Sequence, residues 1–175
     1  ARVDPGAGAN RLDPLRVSRA AGEQRAGRAG RLGPGTVYRL WSQDQQGALA
    51  AHDTPEVLAA DLTRFALELA CWGAADAADL ALLDAPAAAN WNYARELLLG
   101  LGALDAAGKV TTHGRALSRL PAPPRIAHLM QVARTRGQAV SGAWVAAALD
   151  ERDPGGSTDL VERVARLAAG SPDPA

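Results

Sequence analysis

The chain of 175 residues contains one cysteine, one methionine and few aromatics, only 4%. The lone Cys71 excludes an internal disulfide framework and a cysteine-based zinc site, and it fits a reducing compartment. Alanine is abundant among the 47% hydrophobic residues. Alanine buries little area and favours helix, so packed helices with leucine-rich seams are expected. No uncharged apolar run reaches the roughly 18 residues of a membrane-spanning helix. The first five residues lack the apolar core of a secretory signal. They also lack an initiator methionine, so the sequence reads as cut from something longer, with a cytoplasmic location expected. The length allows one or two small domains.

Lysine is nearly missing too. Lys109 stands alone among 19 basic residues, which balance 19 acidic ones. That zero net charge is a sum of unlike parts. Residues 1–40 carry eight arginines against Asp4, Asp13 and Glu23, a net +5, and residues 41–175 carry a net −5. A short arginine-dense block calls for an anionic partner. The acidic remainder argues against a domain that reads DNA sequence through a basic recognition face.

Along the chain, extended segments are expected near Leu12 and over 15–17, with Asp13-Pro14 as the turn between them. Ser18 is placed to cap a helix from Arg19 to Ala29, ended by the glycines of 30–35. The β-rich run 36–41 predicts a strand. These elements cannot bury enough surface to stand alone, so they read as the end of an α/β domain. Thr54 and Pro55 then predict a helix start, and Leu58, Leu62, Phe65, Leu69 and Trp72 form an amphipathic stripe ended by Gly73. A short helix over 76–83 and another from Pro86 to Leu101 follow. The stretch 102–111 predicts a hairpin around Ala107-Gly108, and 112–120 a helix stopped by Pro121. Three helices and a small β-wing are the order of a winged-helix domain. Helices over about 124–136, 138–150 and 158–169 complete the chain.

The feature that carries chemistry is Gln24-Arg25-Ala26-Gly27-Arg28-Ala29-Gly30-Arg31. On a continuous helix, Gln24, Arg28 and Arg31 stand at i, i+4 and i+7, on one face. Gly27 and Gly30 permit close approach by a backbone or a ligand. Two guanidinium groups and an amide on one face suit a triphosphate. The arginines can neutralise charge on a transferring phosphoryl group while the glutamine orients water.

The octapeptide resembles motif VI of the DEAH-box (DExH, superfamily 2) nucleic-acid helicases. Residues 16–23 resemble the lead-in to that motif, and 35–40 the strand after it. Pro55-Glu56-Val57-Leu58 and Trp72-Gly73 resemble parts of the family's winged-helix domain. Residues 98–105 with Gly114-Arg115-Ala116-Leu117 resemble its wing region, and 121–130 the opening of its ratchet-like helical domain. The Trp-Gly pair and Leu101-Gly102-Ala103-Leu104-Asp105 point to the bacterial HrpB-type branch. Gly22 departs from the pattern, where the family carries a non-glycine residue.

The resemblance implies an ATP-dependent helicase fragment, mainly α with a small α/β part. Its domains would be the end of the second RecA-like domain (1–48), a winged-helix domain (52–121) and the start of a helical bundle (122–175). Gln24, Arg28 and Arg31 would be catalytic, with Arg25, Gly27 and Gly30 beside them in the nucleotide contact and Arg25 in a supporting ion pair. ATP and Mg²⁺ would be the cofactors, and single-stranded RNA or DNA the partner. Neither G-x-x-x-x-G-K-[ST] nor D-E-x-H occurs in these residues, so the metal would be held by an upstream RecA-like domain of the same full-length chain, and the fragment alone would be inactive. The alternative is a non-enzymatic winged-helix module that binds nucleic acid or docks a partner, with an arginine-rich arm. His52, His113 and His128 share no metal-ligand spacing and read as surface or capping residues. Trp72, Trp91 and Trp144 read as core anchors.

Overall fold

Ser18 opens the first helix as its sequence position predicts. In the computed structural model, which describes residues 2–4, 9–11, 14–74, 76–150 and 156–170, its hydroxyl accepts from the Ala21 N–H at 3.1 Å. Helix α1 runs Arg19–Ala26. The cap is itself buried, so alanine there leaves a donor without a partner. Ser18→Ala is expected to cost about 1 kcal/mol, measured by urea unfolding, with Ser18→Asp retaining most of the stability.

The chain divides into two compact units, Ala1–Ala60 and Asp61–Ala175. In the first, β1 (Arg2–Asp4) and β2 (Ala9–Arg11) pair antiparallel, Val3 facing Asn10. The expected extended segment near Leu12 lies outside the described residues, and 15–17 form no strand. Nor does 36–41. That run pairs with no other segment among the described residues, and Tyr38 and Leu40 are almost wholly exposed. Its β-branched and aromatic residues favour a pleated surface, but a strand exists only when a neighbour supplies the ladder. None is present among the described residues.

A short helix that the sequence reading omitted, α2 (Gln43–Ala48), follows Trp41. It starts on a capping box, with Ser42 and Gln45 satisfying each other's backbone N–H groups at 3.2 and 3.1 Å. The Ser-x-x-Gln spacing is a legible helix-start signal. The Trp41 indole donates to Gln46 Oε1 at 2.6 Å. Gly22 sits under the same indole, and a Cβ there would lie 3.8 Å from the ring. That is ordinary van der Waals contact, so the indole leaves room for a side chain at this position of α1.

The second unit is built on α3 (Thr63–Trp72), α4 (Ala88–Gly100), α5 (Thr112–Ser118), α6 (Pro124–Thr135), α7 (Ala139–Asp150) and α8 (Leu160–Ala168). The mainly α expectation holds. Helix α3 begins later than Thr54 and Pro55 suggested, and only a 3₁₀ turn, Glu56–Leu58, precedes it. The cause is Asp61, whose carboxylate takes the Thr63 N–H at 2.8 Å and the Thr63 hydroxyl. This local alternative to helical bonding sets a new start. The helix expected over 76–83 is only a 3₁₀ turn, Ala77–Asp79, opened by a capping box between Asp76 and Asp79 and ended where the chain extends at Leu80.

The core joins Leu62, Leu67 and Leu69 of the α3 region to Trp91, Ala94 and Leu98 of α4 and Leu117 of α5. Trp91 is 8% exposed, packs edge-to-face on Phe65 at 6.1 Å, and donates to Asp76 Oδ2 at 3.3 Å. Trp72 is not the core anchor expected of it, at 77% exposed, and Trp144 is 36% exposed.

The expected wing is a single antiparallel bridge, Leu104 with Val110. The Asp105 carboxylate accepts from Ala107 and Lys109 N–H groups at 2.9 Å, tying the loop down on itself. Gly108, at φ 76°, supplies the left-handed turn. Helix α5 packs so tightly behind this loop that a Cβ at Gly114 would overlap the Ala103 carbonyl and approach Val110 Cγ2 to 2.9 Å. Gly114→Ala is expected to cost about 1–3 kcal/mol through overpacking, read as a lowered urea midpoint. A second close approach joins α6 to α7, where Gly142 faces the Ala133 methyl. The α5 to α8 boundaries lie within a residue or two of their predicted positions.

Candidate functional site

The octapeptide does not form one continuous α-helix. Helix α1 ends at Ala26, and Gly27 follows with φ −61° and ψ −17°. Beyond it the bonding tightens to i→i−3, with Arg28 N–H to Arg25 O and Ala29 N–H to Ala26 O, both 3.1 Å. Glycine contributes little to helix stability, and two of them three residues apart let the helix fail early. Gln24 therefore lies on α1, while Arg28 is in the turn after it and Arg31 in the bend beyond. The single-face spacing expected for the three residues is replaced by a turn.

That turn still brings the two arginines together. Arg28 and Arg31 line one open depression of about 540 Å³ with Ala29, Leu32, Gly33 and Pro34. The loop is held shut at Gly35, where a Cβ would collide with the Ala29 carbonyl. Close backbone approach thus occurs at Gly35. The space beside Gly30 is open, and Gly27 faces only the Gln24 and Glu23 carbonyls at 3.6 Å. Gln24, Arg25, Arg28 and Arg31 are all exposed. Among the described residues no carboxylate pairs with Arg25, Arg28 or Arg31. Two uncompensated guanidinium groups on one concave lip suit a polyanion that can bridge them.

The sequence reading missed a second cluster. His113 Nε2 and His128 Nδ1 lie 2.9 Å apart, with ring planes at 88° and centroids 5.0 Å apart. Burial first, and the neighbouring His128 second, lower the His113 pKa below 6.5. The two residues sit on different helices with a proline-rich connection between them, so no spacing rule could pair them. Among the described residues no group of three or more His, Cys, Asp or Glu is arranged to hold a metal ion. No helix among them is long and apolar enough to cross a membrane.

No protein-family model matches the chain. It is 39% identical over 160 residues to ATP-dependent RNA helicase HrpB of Escherichia coli (strain K12), covering 91% of this chain and 20% of that protein. To ATP-dependent RNA helicase HrpA of the same organism it is 33% identical over 143 residues, covering 79% of this chain and 11% of that one. The crystal structure of Escherichia coli DEAH/RHA helicase HrpB matches with a TM-score of 0.81 at 38% identity, over 94% of this chain and 21% of that chain. Sequence and fold therefore define a class: this chain belongs to the DEAH-box (DExH, superfamily 2) helicases. Within that class its likeness is to the HrpB type, and it spans about a fifth of the length of the HrpB proteins it matches.

Proposed function

We propose that the whole protein hydrolyses ATP to move along, or unwind, single-stranded RNA or DNA. In this reading residues 24–31 are the part that meets the nucleotide. The observation that carries it is the pairing of Arg28 and Arg31 on one open depression with no carboxylate to neutralise them. When bound, ATP supplies the phosphoryl group. Arg28 and Arg31 hold positive charge against its oxygens as negative charge develops, and Gln24 orients the attacking water. Arg25, Gly27 and Gly30 shape the turn that presents them. The guanidinium pair fits a triphosphate. In this reading the Mg²⁺ ligands and the phosphate cradle belong to an upstream RecA-like domain of the same full-length chain.

Residues 1–48 close a RecA-like domain, 52–121 form the winged-helix portion, and 122–175 begin the helical bundle that rides on the strand. Measuring nucleic-acid-stimulated ATPase of the full-length protein, wild type against Arg28→Ala and Arg31→Ala, tests the central claim. Unchanged turnover in both variants, or none in the wild type, would remove residues 24–31 from the catalytic machinery. Binding of nucleic acid by the 175-residue chain without any ATPase in the full-length protein would favour a non-enzymatic docking module instead.

A further inference from the structure

We propose that His113 and His128 form a pH-sensitive latch, which holds α6 against α5 while at least one imidazole is neutral and loosens it in mild acid. The inference goes beyond the ATPase reading and does not depend on it.

The geometry is specific. His113 is in the first turn of α5 and His128 in the second turn of α6. Between the helices runs 119–123, which contains Pro121 and Pro123, and Pro124 opens α6. A stiff, proline-rich connection restricts where α6 can go without specifying what holds it there. The 2.9 Å contact between ring nitrogens, with planes at 88°, is the arrangement in which one ring N–H donates to the other ring's lone pair. This bond survives one added proton, because an imidazolium can donate to a neutral imidazole. It does not survive a second. Two imidazolium rings present donors to each other and repel.

The surrounding charges do not replace it. On α3, Arg64 Nε and Glu68 are paired at 2.9 Å, and Arg64 also reaches the carbonyls of Leu120 and Ala122 at 3.5 and 3.4 Å. On α6, Arg125 donates to the Tyr93 hydroxyl of α4 at 2.6 Å. Arg115 of α5, Arg134 of α6 and Asp150 of α7 are exposed. The charged group that acts on His113 is His128.

The direction of the response follows. The folded state holds the His113 pKa below its ordinary value of 6.5, by burial first and by His128 second. The unfolded chain therefore takes up the proton first as pH falls. The contribution of His113 is full above about pH 6.5 and is lost progressively below it, until the folded protein also protonates.

Backbone hydrogen exchange in the 175-residue chain tests this, comparing pH 7.5 with pH 5.5 after correction for intrinsic rates. Protection of 112–135 is expected to fall several-fold in acid in the wild type. His113→Gln and His128→Gln should each abolish that pH response, whereas His52→Gln, in the other unit, should leave it intact. A pH response that persists in both pair variants, or wild-type protection unchanged between the two pH values, overturns the latch. Should the variants fail to fold, imidazole resonances of the wild type decide the matter. The latch requires His113 and His128 to titrate as a coupled pair, and two independent titrations overturn it.

Discussion

Arg31→Ala in the full-length protein is expected to lower nucleic-acid-stimulated ATP turnover by about 10³–10⁵-fold, the range seen when an arginine finger is removed from a phosphoryl-transfer site. Arg28→Ala should fall in the same range. The size of the effect has a physical origin. Charge spreads over the transferring phosphoryl oxygens only as the reaction proceeds, so a guanidinium fixed in place stabilises the transition state more than bound ATP. The loss should therefore appear in kcat, with a smaller change in KM. Because both side chains line the same depression, the double variant should be little worse than either single one, as for residues that act as a unit. Lysine should rescue poorly at either position, since it keeps the charge but loses the planar fork. Gly35→Ala offers a separate check on the loop. Its Cβ would collide with the Ala29 carbonyl, so the turn must open, and turnover should fall although every charged group remains.

Trp91→Ala is expected to destabilise the second unit by about 3–5 kcal/mol, the usual cost of deleting a buried aromatic. Three losses combine: the buried indole, the edge-to-face contact with Phe65, and the bond from its Nε1 to Asp76. For a chain of this size that lowers Tm by roughly 10 °C, at about 2–4 °C per kcal/mol. Trp91→Phe should recover most of it, leaving a deficit of about 1 kcal/mol for the lost hydrogen bond. Trp72→Ala is the contrast. At 77% exposed, Trp72 should change stability by no more than about 0.5 kcal/mol. Thermal unfolding of the three variants side by side separates the two tryptophans, and equal losses at 72 and 91 would contradict the packing described here.

The tryptophans also show where a sequence stops informing. Leu58, Leu62, Phe65, Leu69 and Trp72 make a stripe of large residues at helical spacing. The face that α3 buries is instead carried by Leu62, Thr63, Ala66, Leu67 and Leu69, rotated by about a quarter turn from that stripe. Bulk drew the expected face. The buried face combines the fully buried Leu67 with the small residues Thr63 and Ala66. The octapeptide behaves likewise. Its composition pointed to phosphate chemistry, but its glycines broke the helix that was to carry Gln24, Arg28 and Arg31 on one side. The two arginines share a surface because the chain turns at Gly27 and closes at Gly35.

What the sequence determined by itself is local. Ser18, Ser42 and Thr111 start helices and Gly73 ends one, because a cap depends on residues within one turn of it. Charge segregation and the motif were equally legible, since both are properties of the chain read in order. Tertiary structure decided the rest: which tryptophan is buried, that 36–41 has no partner strand among the described residues, and that His113 meets His128 across the prolines. Each depends on atoms far apart in sequence coming within a few ångströms, and packing of whole helices settles that rather than the preference of any single residue.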